Sequence, residues 1–270
     1  MTFNELIPIV RDHLRNFDNV FTVEVNAPFQ DAIMNGNYLI SCACDDRHIS
    51  YDTNDFLWYS LSHMEFEQEG NFLTFYVTYY STKEQQEQAV TAVEGLAASL
   101  NISSLGRAEA VRAFYNWIAD NVIYDTSVKQ ILQYTPIGES FTDVARNSLY
   151  DVIVEKKTVC QGISVAMFYF INRYITPCRI IQGNELSSAY RLFYHCWNII
   201  KLNDDWYYTD ATAAAEQHAT DPATQESWLL KNAYDFTHIA NAAKYVPLPG
   251  YMRNEWIKQF SNIAANSWQF

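Results

Sequence analysis

One run constrains the chain most. Residues 163–175, ISVAMFYFINRYI, are apolar almost all the way round. A helix without a polar face has to be buried on every side, so the rest of the chain must wrap it. The material for that is present: 49% of the 270 residues are apolar, with 16 Phe, 19 Tyr and 7 Trp. This excludes a disordered chain. At about 150 residues per domain, the length allows one large domain or two small ones.

The remaining composition narrows the function. Eighteen Lys and Arg against 31 Asp and Glu leave a net charge of −13. Such a chain has no general affinity for phosphate backbones or anionic membranes, so nucleic acid and membrane are not expected partners. The acidic surplus reads as a solvated surface. No stretch reaches the roughly 20 apolar residues of a membrane span. The opening MTFNELIPIVRDHLRNF lacks a basic start and a long apolar run, so it reads as an amphipathic helix, not a signal peptide. A cytoplasmic location is the default expectation, or secretion if a signal was removed. Five cysteines, an odd count, leave at least one free thiol, and a reducing compartment is the mild preference.

Along the chain, residues 3–17 have helical spacing, with Leu6, Val10 and Leu14 on one face. Residues 21–25, 38–44, 56–66 and 71–80 read as strands, with a hairpin turn at Glu67–Gly70. Thr82 and Gln85 form a capping-box pattern that opens a helix to Leu100. The break at 101–106 separates an N-terminal α+β accessory region, 1–100, from a core, 101–270. A helix over 107–121 follows, then a long polar loop over 126–150 of the kind that is often functional. Residues 178–183, 190–202 and 206–212 read as strands, and an amphipathic helix with Trp256, Ile257, Phe260 and Ile263 closes the chain.

Cys160 stands just before the buried run, in Thr158-Val159-Cys160-Gln161-Gly162. A helix N-terminus stabilises a thiolate through its dipole and its unpaired N–H groups, which also suit a developing oxyanion. A nucleophilic thiol needs a base. His195, 35 residues on, is the candidate, in Tyr194-His195-Cys196-Trp197-Asn198. Asp210, 15 residues further, is the candidate carboxylate to orient it. Strand alternation adds a condition. A two-residue turn at Asp204-Asp205 pairs Asn203 with Trp206 and puts Asp210 on the face of His195; a three-residue loop would put it on the other. Cys178 and Cys196 read as inert core. Trp197, Trp206 and Tyr207 read as core and cleft wall, and Asn198 and Thr212 as backbone holders.

Cys160-Gln161-Gly162, His195-x-Trp197-Asn198, Trp206-Tyr207 and Asp210-x-Thr212, in this order and spacing, resemble the bacterial transglutaminase-like superfamily. So does the upstream helix ending in Tyr124-Asp125. The resemblance covers about 105–212. It implies a papain-like α+β fold, with Cys160 at the start of a central helix packed on an antiparallel sheet that carries His195 and Asp210. It implies attack of a thiolate on a peptide or protein amide through an acyl-enzyme, with Cys160 as nucleophile, His195 as base then acid, and Asp210 as the orienting carboxylate. The oxyanion glutamine of papain-type peptidases is absent, since Val154 holds that position. Gln161, Tyr124 and Trp197 remain the oxyanion and cleft candidates, with packing an equal reading of Tyr124.

The expected activity is hydrolysis, as a cysteine peptidase or amidase. The alternatives are protein-glutamine amine transfer and a peptide-binding module without turnover. No cofactor is expected. Cys42 and Cys44 with Asp45, Asp46 and His48 match no standard zinc spacing, so no metal is expected either.

Overall fold

A computed structural model of the protein describes residues 1–44, 55–127, 146–186, 192–218, 222–237, 244–247 and 262–270. Helix α1 (Phe3–Arg15) buries Leu6, Val10 and Leu14, the one face its spacing predicts. Strand β1 (Val20–Glu24), helices α2 (Ala32–Cys44) and α3 (Asp55–Ser60), and strands β2 (Leu61–Glu69) and β3 (Phe72–Tyr79) follow. The three strands form an antiparallel sheet in the order β1-β3-β2.

Two of the expected strands here are helical. Residues 38–44 belong to α2, whose buried residues are Gly36, Leu39, Ile40, Ala43 and Cys44. That is a three-and-four spacing, hidden in a seven-residue window by β-favouring Tyr, Ile and Cys. Gly36 is needed where it stands, because a Cβ there would sit 2.4 Å from the Phe66 ring of β2. Residues 56–60 likewise form α3, and the strand starts at Leu61. The hairpin turn also moves. Glu65, Glu67 and Glu69 line the exposed side of β2 in alternation, and the turn is Gly70-Asn71, with Gly70 at φ +57°.

Helix α4 (Lys83–Ser99) starts at the predicted capping box: Thr82 Oγ1 accepts from Gln85 N at 3.2 Å. After a short 3-10 turn (Ile102–Ser104) come α5 (Arg107–Asn121) and β4 (Ile123–Tyr124). Of the loop expected at 126–150, residues 128–145 lie outside the described residues, and its last part opens α6 (Leu149–Ile153). Strand β5 (Lys157–Thr158) pairs parallel with β4 and leads into α7 (Cys160–Tyr174). This is the central helix, buried through eleven of its fifteen residues.

Strands β6 (Cys178–Leu186), β7 (Leu192–Leu202) and β8 (Asp205–Thr209) form an antiparallel sheet completed by β9 (Lys244–Pro247), in the order β8-β7-β6-β9. Helix α8 (Ala211–His218) starts where residues 210–212 were expected to continue a strand, because Asp210 caps it. A 3-10 segment (Pro222–Trp228) and α9 (Ala233–Thr237) follow. Trp256, Ile257 and Phe260 of the expected last helix lie outside the described residues; Ile263 forms a bridge beside Trp206.

The β6-β7-β8 sheet is covered on both faces. Helix α7 packs on one, where Cys196 and Ile200 join the main apolar cluster. On the other, Trp197 and Ile199 gather Ile181, Trp206, Trp228 and Phe236. The main cluster runs from Leu6 in α1 through Phe114 in α5 to Ile171 in α7, across the break at 101–106. A buried ion pair ties the same two parts together. Asp55 of α3 accepts from Arg179 Nε at 2.9 Å and Nη2 at 3.1 Å, and from the backbone N–H of Ile180 at 2.8 Å.

Candidate active site

Three contacts fix where α7 begins. The β4–β5 pairing sets Tyr124 opposite Thr158, and Asp125 N donates to Thr158 O at 2.7 Å. The Asp125 carboxylate accepts from the Ser127 hydroxyl at 2.5 Å and faces Lys157 Nζ at 3.3 Å, which together hold its pKa below the usual range. The Thr158 hydroxyl then donates to Arg146 O at 2.6 Å, directly over the first turn of α7. Gly162 is what allows that approach. A Cβ there would lie 2.0 Å from Thr158 Oγ1 and 3.3 Å from Arg146 O.

Cys160 is the first residue of α7, buried but not closed off, at 8% exposure. The first intrahelical bond at this end runs from Ile163 N to Val159 O. The N–H groups of Cys160, Gln161 and Gly162 precede it, so they belong to the unpaired set at a helix start.

His195 lies on β7, opposite Gly183 of β6, and is buried. Its Nε2 meets Asp210 Oδ2 at 2.8 Å. The register that brings them together differs from the expected one by two residues. Leu202 pairs with Asp205, so Asn203-Asp204 makes the turn, and Asn203 carries the positive φ of 55° that Asn tolerates better than most residues. A shift of two preserves the face, so the parity requirement is met. Asp210 has left the strand, and its Oδ1 accepts from Thr212 N at 2.9 Å and Ala213 N at 3.4 Å as the cap of α8. One carboxylate therefore holds both the imidazole and a helix start.

His195 and Cys160 each shift the other's pKa. Burial pushes the His195 pKa down, but the Asp210 carboxylate and the Cys160 sulfur outweigh it, and the net shift is well upward. The Cys160 pKa goes the other way, well below an ordinary thiol. A hydrogen bond from the Cys196 thiol lowers it most; burial opposes this, and the bond and charge of His195 add to the lowering. Both shifts run in the direction of a thiolate and an imidazolium.

The other expected residues take different places. The Gln161 side-chain amide donates to Tyr59 O of α3 at 3.2 Å, so it points to the N-terminal region. Tyr124 is half-buried against the main apolar cluster, and its strand partner Thr158 stands two residues before Cys160. Trp197 is buried, with its ring 5.9 Å from the His195 ring at an interplanar angle of 29°. Asn198 Nδ2 donates to Ser164 O at 3.0 Å and Arg179 O at 3.4 Å, tying α7 to the sheet.

One contributor was not singled out from the sequence. Tyr115 of α5 donates to Gln225 O at 2.8 Å and reaches Asp210 O at 3.4 Å, bracing the end of β8. Cys196 is fully buried in the main apolar cluster, and its thiol donates to the Tyr194 hydroxyl at 3.4 Å. Cys178 fits the core reading; burial pushes its thiol well up.

Residues 94–211 match the profile of the transglutaminase-like superfamily. Similar solved structures include a TGase, at 16% identity and a TM-score of 0.40, where the match covers 56% of this chain and 44% of that one. A second is a candidate cysteine protease from Cytophaga hutchinsonii, at 12% identity and a TM-score of 0.34, covering 68% and 65%. The chain thus spans less than half the length of the TGase and just under two thirds of the protease. No curated protein matches the chain.

Proposed function

We propose that the protein is a thiol-dependent acyl-transfer enzyme that hydrolyses a peptide or protein amide. The observation that carries this reading is the buried His195–Asp210 bond together with Cys160 at the start of α7, its pKa drawn down in part by His195.

Cys160 Sγ, as thiolate, attacks the amide carbonyl, and an S–C bond forms. Negative charge collects on the carbonyl oxygen, where the N–H groups that open α7 can receive it. His195 then gives its proton to the leaving amine as the C–N bond breaks, leaving a thioester on Cys160. In the second half, His195 takes a proton from water, which attacks the thioester; the acid product leaves and the thiolate returns. Asp210 keeps the imidazole oriented through Nε2 and favours its charged form. Hydrolysis is the second half-reaction in this reading because water needs no dedicated acceptor site. Bonding of Gln161 to Tyr59 supports a role for the Gln161 backbone N–H over its side chain.

The test is the rate of iodoacetamide alkylation at Cys160 against pH, by peptide mapping, in wild type and His195→Ala. A free thiol titrates near pH ~8.5, whereas a His-paired thiolate reacts at about pH 5–6. Acid-side labelling that collapses in the variant is expected. An ordinary thiol profile unchanged by the variant would move the reading to a peptide-binding module. Glutaminyl peptides incubated with and without a primary amine then separate water from amine as acceptor.

A further inference from the structure

The N-terminal sheet has two unlike faces. Its inner face, with Phe21, Val23, Leu73, Phe75 and Val77, belongs to the main apolar cluster. Its outer face is open across all three strands. Pairing sets the outer side chains in rows: Val20, Tyr76 and Glu65; Thr22, Thr74 and Glu67; Glu24, Phe72 and Glu69. Large apolar groups stand open among them. Phe72 is 52% exposed, Val20 59% and Tyr76 36%. Carboxylates flank Phe72 on both neighbouring strands, and β1, β2 and β3 contain no Lys or Arg.

A sheet face that meets only water gains from opposite charges on neighbouring strands, and like charges there cost stability. This face has the carboxylates without the cations, and it leaves two aromatic rings between them. The side-chain bonds on it are internal. The Tyr76 hydroxyl donates to Glu67 Oε2 at 2.7 Å, His63 Nε2 meets Glu65 Oε1 at 3.1 Å, and the Thr22 and Thr74 hydroxyls bond at 2.9 Å. The amino group of Met1 lies beside β1 but bonds Glu24 O and Asn26 Oδ1.

We propose that this face docks an extended polypeptide segment that carries Lys or Arg at alternate positions. Spacing and chemistry fit that occupant. Glu65, Glu67 and Glu69 recur at every second residue of β2, about 6.8 Å apart, and the same-side residues of an extended partner recur at the same interval. Phe72 and Tyr76, on the adjacent strand, offer the apolar stems of Lys or Arg a surface and their charges an aromatic face. A second copy of the chain would bring the same carboxylates and be repelled, as would nucleic acid or an anionic membrane. A single metal ion is a poor match, since no metal-holding group of three acidic, His or Cys side chains is present among the described residues. The face lies outside the stretch that matches the superfamily profile, and docking there does not depend on the chemistry at Cys160.

The test uses the full chain and a rhodamine-labelled peptide of alternating Lys and Thr, read by fluorescence anisotropy at low and physiological salt. A Lys-Lys-Thr-Thr repeat of the same composition places half as many Lys on one side of an extended strand. The alternating peptide is expected to bind, the repeat of pairs to bind several-fold more weakly, and an alternating Glu-Thr peptide not to bind. The triple variant Glu65→Gln/Glu67→Gln/Glu69→Gln should weaken binding about tenfold, as for three exposed ion pairs, and Phe72→Ser should weaken it with no change of charge. Both variants alter exposed positions, so melting temperature and the Cys160 alkylation rate should stay as in wild type. Carbodiimide coupling of peptide Lys to protein carboxylates, followed by mass mapping, should place the links on Glu65, Glu67 and Glu69. Links spread over the whole acidic surface, equal binding of the two Lys peptides, or a triple variant that binds like wild type would reduce the effect to net charge and overturn the proposal. Dimers in sedimentation velocity that the triple variant alters would give the face to a second copy and overturn it as well. None of these results bears on the enzyme reading, which stands or falls on the pH profile of Cys160 alkylation.

Discussion

At Asp210 the two carboxylate oxygens do separable work: Oδ2 holds His195, and Oδ1 caps α8. Asp210→Asn keeps an oxygen for the cap but loses the charge that favours the imidazolium. Turnover of an amide substrate should fall by roughly 10³–10⁴-fold, as for the orienting carboxylate of other triads, with little change in melting temperature. Asp210→Ala removes both functions and should in addition cost about 1 kcal/mol for the lost cap; thermal melts beside kinetics check the split. The pH behaviour has a definite sign. The His195 pKa is raised on folding, so its contribution to stability is complete below the unfolded value of about 6.5 and is lost as pH rises through the folded value. Urea midpoints from about pH 6 to 10 should decline in wild type through a step that His195→Gln lacks.

At the scale of elements, the first turn of α7 depends on Gly162. Gly162→Ala drives a Cβ into Thr158, whose hydroxyl is committed to Arg146 O. The expected cost is about 1–3 kcal/mol for overpacking, with slower Cys160 alkylation because the helix start shifts. A urea titration and the alkylation rate check both. The sequence made this element plain. The all-apolar run fixed a buried helix, and Cys-Gln-Gly fixed its start. Strand β7 and the face of Asp210 were also legible, because alternation fixes parity whatever the turn. Register was not: Asn203-Asp204 and Asp204-Asp205 are both acceptable turn pairs, and the choice falls to tertiary pairing. Helices α2 and α3 were missed for a related reason. Short stretches rich in Tyr, Ile, Phe and Trp carry strand propensity, and what makes them helical is packing on Phe66 and the Arg179 pair.

Across the whole molecule, the N-terminal region and the half that carries Cys160 and His195 share one apolar cluster and the buried Asp55–Arg179 pair. Asp55→Asn leaves Arg179 buried without its counter-charge and should cost about 3–5 kcal/mol. The double variant Asp55→Leu/Arg179→Met should recover most of that, because a well-packed apolar pair avoids the desolvation penalty; a double-mutant cycle of denaturation energies reads the difference. A fragment of residues 101–270 is expected to lack a cooperative melt, since it would expose the surface that α3 and α4 now cover and would leave Gln161 without Tyr59. The match of residues 94–211 to the superfamily profile therefore does not mark out a unit expected to stand by itself.

The cap on α8 carries one more consequence. The amide protons of Thr212 and Ala213 hang from the carboxylate whose other oxygen touches the His195 ring. Each time His195 gains or gives up its proton, the electron density felt by those two protons must change. They form a spectroscopic gauge built into the backbone, so an NMR titration of two helix amides can follow the charge of the imidazole during substrate binding without touching the site.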